Sequence, residues 1–136
     1  MTDERMQKAI KIVNASGFFQ LLGMEFFEAE GGKSRMRMTV GEKHLNPMGI
    51  AHGGVYCAAL DAATWFACFS SLEPGKNMTS VEMKVNYLVP ARPGEIFAEG
   101  CAIYRGKSIL VGEASVVDAT GLMFAKAVGT CMVLPR

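Results

Sequence analysis

The stretch that most constrains this chain is residues 53–71, an apolar run that carries a single formal charge, Asp61. A helix that is apolar on every face belongs inside a core rather than on a surface. At about 17 residues before its first serine the run is borderline short for a bilayer, and Asp61 interrupts it. The expectation is therefore a long buried helix holding one acid. An ionised carboxylate in such a place costs several kcal/mol unless it is paired or its pKa moves.

The 136 residues suffice for one domain, residues 1–136, with a core that needs no disulfide or metal. Half of them are hydrophobic, the upper end for a soluble domain, which points to surface buried against a second subunit. Fourteen basic residues face thirteen acidic ones with no basic block, so an obligatory nucleic-acid partner is excluded. The cysteines (Cys57, Cys68, Cys101, Cys131) have no metal-ligand spacing and read as small apolar fillers in a reducing compartment. Residues 1–20 are amphipathic and of mixed charge, not a signal peptide. A soluble cytoplasmic protein without membrane attachment or metal is expected.

Met6, Ala9, Ile10 and Val13 recur at helical spacing and predict a short amphipathic N-terminal helix over residues 3–15, stopped near Ser16-Gly17. A first strand over residues 23–29 ends at Glu30-Gly31-Gly32, and residues 33–40 alternate with Met36, Met38 and Val40 on one face. Beyond the apolar helix, Val81, Met83, Val85, Tyr87 and Val89 mark a long third strand. Strands over 95–104, 108–117 and 122–133 follow, joined by Arg105-Gly106-Lys107 and Asp118-Ala119-Thr120-Gly121. Short turns imply antiparallel pairing. An α+β fold follows, with about six antiparallel strands curled around one long central helix and a short N-terminal helix outside.

The start of the central helix offers no Ser, Thr, Asp or Asn at the cap position before Gly53-Gly54. Its first N–H groups then either receive a ligand oxygen or lie under tightly packed loop, which two glycines would equally allow. Asp61 lies eight residues on, about 12 Å along the axis. A carbonyl held at the helix start is beyond the reach of that carboxylate in the same chain. If both act on one substrate, Asp61 comes from a second subunit, and the site is shared across a dimer. Asp61 can otherwise be a structural acid, and His52 an orienting donor. Asn46 can cap a turn or orient substrate, and Thr79 is either a site hydroxyl or strand filler. No serine, cysteine or histidine triad is present.

The run Leu45-Asn46-Pro47-Met48-Gly49-Ile50-Ala51-His52-Gly53-Gly54, with Asp61 eight residues after Gly53, resembles the hotdog-fold thioesterases, in particular the phenylacetic-acid-degradation (PaaI-like) acyl-CoA thioesterases. Thr79-Ser80, Pro90-Ala91, Pro93-Gly94, Arg105-Gly106-Lys107 and Gly129-Thr130 extend the likeness over about residues 20–133. The resemblance implies a hotdog fold, dimers assembling into homotetramers, and hydrolysis of an acyl-CoA. It implies that the Gly53 N–H binds the thioester oxygen, that Asp61 of the neighbouring subunit is nucleophile or general base, and that Asn46 and Thr79 orient substrate and water. Coenzyme A, which is substrate rather than cofactor, would lie along Asn86, Tyr87, Leu88, Val89, Pro90, Ala91 and Arg92 and the hairpin Tyr104, Arg105, Gly106, Lys107 and Ser108, near His52 and Gly54. Arg92, Arg105 and Lys107 are either phosphate ligands or ordinary solvated charges. Two rival readings are a non-catalytic acyl-CoA binder and an enoyl-CoA hydratase; the second would need an additional histidine, and none follows His52.

Overall fold

In the computed structural model, which describes residues 3–135, two short helices precede the first strands: α1 (Glu4–Asn14) and α2 (Gly17–Leu22). The strands β1 (Glu25–Glu30) and β2 (Lys33–Val40) follow, then α3 (Gly53–Ser70), β3 (Met78–Tyr87), β4 (Gly94–Arg105), β5 (Ile109–Val117) and β6 (Met123–Val133). All pairings are antiparallel, in the order β1-β2-β4-β5-β6-β3, and α3 touches every one of the six strands. The sheet therefore curls around the helix as its apolar composition requires.

Asp3 caps α1 by accepting the Met6 N–H at 2.7 Å, and Met6 is driven fully into the core. The α2 helix was not expected from the sequence. Its six residues are too few to show a period, and it ends where Gly23 turns left-handed at φ 72°. Asn14 ties α1 to β1 at both ends of its amide, donating to the Phe26 carbonyl at 2.9 Å and accepting the Phe26 N–H at 2.8 Å. Strand β2 has the expected faces, with Ser34, Met36, Met38 and Val40 buried.

Helix and sheet meet most closely at Gly100 on β4. A Cβ there would collide with the backbone carbonyl of Ala63, which also accepts the Ser34 hydroxyl at 2.6 Å. The buried side of α3 is thus Val55, Tyr56, Ala59, Leu60, Ala63, Thr64, Phe66, Ala67 and Cys68. The expectation that every face of this helix is hidden fails: Gly54 and Asp61 are exposed, and Cys57, Ala58, Ala62, Trp65 and Phe69 only half-buried. The sheet wraps one side, and β3, at its edge, leaves the other side open. No described helix is long and apolar enough to cross a membrane.

Candidate active site

Asp61 projects from the middle of the open side of α3, so it is not an isolated acid in a core. Its Oδ1 accepts the hydroxyl of Ser80 on β3 at 2.8 Å. Sequence reasoning assigned the neighbouring hydroxyl of Thr79. That assignment came with the family resemblance; the strand itself has a bulge between Ser80 and Glu82 that shifts the pairing of β3 with β6 at this point. The pocket around the carboxylate, about 650 Å³, is lined by Gly54, Cys57, Ala58, Ser80, Glu82 and Met83 among others, and not by Thr79.

The helix start differs from expectation in one respect: it is capped. Residue His52 takes the N-cap position, and its Nδ1 accepts the Gly54 N–H at 2.8 Å while its carbonyl accepts the Val55 N–H at 2.9 Å. Histidine lies outside the usual capping set, but here a ring nitrogen takes the place of the side-chain oxygen. The cap leaves the Gly53 N–H without a hydrogen bond among the described residues, at the positive end of an 18-residue helix. Gly53 sits in a second pocket of about 260 Å³ with Ala51, Tyr56, Tyr87, Leu88 and Pro90. The Tyr87 ring lies flush on it, 3.2 Å from where a Cβ would be. One turn along α3, Tyr56 bolts the end of the third-strand segment to the helix, its hydroxyl accepting the Ala91 N–H at 2.8 Å and donating to the Val89 carbonyl at 3.3 Å. Burial pushes the Tyr56 phenol up, which keeps it a donor. Sequence inspection missed this residue because a tyrosine in an apolar helix looks like core.

Residue Asn46 spends its Oδ1 on the turn before the helix, accepting the Met48 and Ile50 N–H groups at 2.9 and 3.4 Å, and its Nδ2 makes no hydrogen bond among the described residues. The buried His44 joins this loop to α2, with Nδ1 accepting the Gly41 N–H at 2.9 Å and Nε2 at 2.7 Å from the Leu22 carbonyl. Since Nδ1 accepts, Nε2 carries the proton. Both histidines thus hold backbone, His44 through both ring nitrogens and His52 through Nδ1.

The proposed coenzyme A path divides in two. Asn86, Tyr87, Leu88 and Pro90 are exposed beside Gly53, with Val89 half-buried and Ala91 buried; Arg92 is exposed farther along. The hairpin carrying Tyr104, Arg105, Gly106, Lys107 and Ser108 lies at the opposite end of α3. Arg105 reaches the Gly31 carbonyl at 3.5 Å, and the adjacent Gly32 N–H donates to Ser70, the last residue of that helix, at 2.8 Å. Eighteen residues span about 27 Å. Within one chain the two segments cannot hold one nucleotide, because consecutive antiparallel strands place these turns at opposite ends of the sheet.

Among the described residues no cluster of His, Cys, Asp and Glu could hold a metal. An exposed carboxylate with a hydroxyl partner, an open apolar pocket and an unspent helix N–H remain, which is the equipment of acyl transfer to water. The sequence pattern of the thioesterase superfamily matches residues 48–125, from the turn before α3 through to β6. The chain belongs to the thioesterase superfamily. It is 32% identical over 104 residues to the 1,4-dihydroxy-2-naphthoyl-CoA hydrolase of Listeria monocytogenes, covering 76% of this chain and 85% of that protein. It is 29% identical over 127 residues to the acyl-coenzyme A thioesterase 13 of Homo sapiens, covering 90% of each. The PaaI protein of the E. coli phenylacetic acid degradation operon shares the fold, with a TM-score of 0.88 over 99% of this chain and 97% of that one at 21% identity. This thioesterase is accordingly a thioester hydrolase with the hotdog architecture.

Proposed function

We propose that the chain hydrolyses acyl-CoA thioesters carrying aryl or medium-chain acyl groups, phenylacetyl types included, at a site built from two subunits of a homodimer that pairs further into a tetramer. The observation that carries this reading is the Asp61–Ser80 pair, exposed on the open side of α3 and separated by two helical turns from the unspent Gly53 N–H. Asp61 acts as general base or as nucleophile. As base it takes a proton from water while the hydroxide adds to the thioester carbon. The carbonyl oxygen becomes an oxyanion held by the Gly53 N–H of the partner subunit; the C–S bond then breaks as the leaving sulfur takes the proton back from Asp61, giving the free acid and coenzyme A as its thiol. Ser80 fixes the carboxylate's rotamer, and the free Nδ2 of Asn46 serves as a donor to substrate or water. Thioesters have little amide-like resonance, so one base and one donor suffice.

The exposed edge of β3 and the half-buried apolar face of α3 support the dimer, since a second copy would cover both. Four free cysteines suit a reducing cytoplasm. Release of free thiol from a panel of acyl-CoAs tests the activity: wild type should turn over, and Asp61→Ala should lose about a thousandfold in kcat. Binding of CoA esters without turnover would replace this reading by that of an acyl-CoA carrier. A monomer in sedimentation would remove the shared site.

A further inference from the structure

One buried residue, Ala91, ties the chain together on both sides of Gly53. Ahead of Gly53, the Ala51 N–H donates to the Ala91 carbonyl at 2.8 Å; beyond it, the Tyr56 hydroxyl accepts the Ala91 N–H at 2.8 Å. The backbone from Ala51 to Tyr56 and a single phenol thus close a ring that contains the helix start. Strand β3 has ended at Tyr87, so residues 88–91 have no ladder to take their polar groups. Leu88 and Val89 both donate to the Phe124 carbonyl, at 2.8 and 3.1 Å. Pro90 has no N–H to offer. The Val89 carbonyl before it and the Ala91 N–H after it fall to Tyr56, which donates to the first at 3.3 Å and accepts from the second. We propose that Tyr56 is a positioning residue, which holds residues 88–90 as a fixed wall beside Gly53 so that the wall seats the thiol-side arm of the substrate. The inference rests on the thioesterase reading for what the wall holds.

Leu88, Val89 and Pro90 line the pocket of about 260 Å³ together with Gly53 and Tyr56. A thioester whose carbonyl oxygen reaches the Gly53 N–H has its sulfur one bond from the carbonyl carbon, so the thiol-side arm begins beside that pocket. The subunit that gives the N–H therefore gives the wall as well. A wall that had to be ordered as the arm arrived would cost affinity, and the two Tyr56 hydrogen bonds meet that cost within the fold. The oxyanion donor does not depend on them. The direction of the Gly53 N–H is set by α3 and by the His52 cap on its first turn. Loss of the phenol should therefore weaken the hold on the arm and leave the chemical step.

Tyr56→Phe keeps the ring, whose centroid lies 6.0 Å from that of Tyr87, and removes both hydrogen bonds. Free coenzyme A titrated calorimetrically reads the wall without turnover, and the variant should bind it about tenfold more weakly than wild type does. In kinetics, KM for an acyl-CoA should rise about tenfold with kcat within twofold. The ethanethiol ester of the same acid has no arm, and its kcat/KM should stay within twofold. Pro90→Gly leaves Tyr56 and its partners in place and only slackens an exposed part of the wall, so it serves even if the first variant does not fold. It should show the same pattern at about threefold. Unchanged coenzyme A affinity in the variants would overturn the proposal. So would a loss of kcat shared equally by the two esters, which is what a merely structural hydrogen bond gives. If no acyl-CoA releases thiol while coenzyme A affinity falls as stated, the hydrolase reading is removed and the positioning role stands.

Discussion

The two sides of α3 are made of similar residues and have opposite fates. On the sheet side, Ala59, Leu60, Ala63, Phe66, Ala67 and Cys68 pack against the chain's own strands, close enough that Gly100 admits no Cβ. On the other side, Ala58, Ala62, Trp65 and Phe69 are left half-covered around an exposed Asp61. One side is complete within the chain and carries stability. The other is open within the chain, and it presents Asp61 and Ser80, the pair on which the proposed reaction rests.

Substitutions should separate the two sides cleanly. The largest effect expected is on the open side: Asp61→Ala should lower kcat about a thousandfold while the denaturation midpoint holds. On the sheet side, Gly100→Ala should cost about 3 kcal/mol of stability by driving a methyl against the Ala63 carbonyl, visible in urea melts. Back on the open side, Ser80→Ala should reduce kcat about tenfold by freeing the Asp61 rotamer, whereas Thr79→Ala should change it less than twofold. Equal losses in the two serine and threonine variants would show that the 2.8 Å hydrogen bond does not position the base. The smallest effect is a gain. Thr64 Oγ1 is buried against the sheet without a hydrogen-bond partner among the described residues, so Thr64→Val should stabilise by about 1 kcal/mol with kinetics untouched. A loss of activity there would mean that the two sides of the helix are coupled.

Much of this was legible in the sequence. The alternation of residues 33–40 places β2 and its buried face, and the charge-poor run from Gly53 marks α3 and its wrapping sheet. The open side of α3 was not legible, because Ala62, Trp65 and Phe69 are as apolar as the core and only the edge position of β3 tells them apart. Nor was the choice of Ser80 over Thr79: two adjacent hydroxyls look alike in sequence, and the bulge that follows Ser80 shows only in the pairing of β3 with β6. His52 as a cap escaped notice for a third reason: its hydrogen bond depends on a ring rotamer, not on residue type. The eight-residue separation of Gly53 and Asp61 was visible from the start, and their lining of separate pockets in one chain agrees with it.

That separation can be tested directly by mixing two inactive variants. Gly53→Pro removes the helix-start N–H at a position where proline is tolerated, after a residue whose ψ of 140° already suits it. Asp61→Ala removes the carboxylate. Each homodimer should be nearly inactive, yet unfolding and refolding the two together should restore about a quarter of wild-type activity, because half of the dimers then hold one intact shared site. Activity that stays at the level of the separate variants would contradict a site divided between subunits.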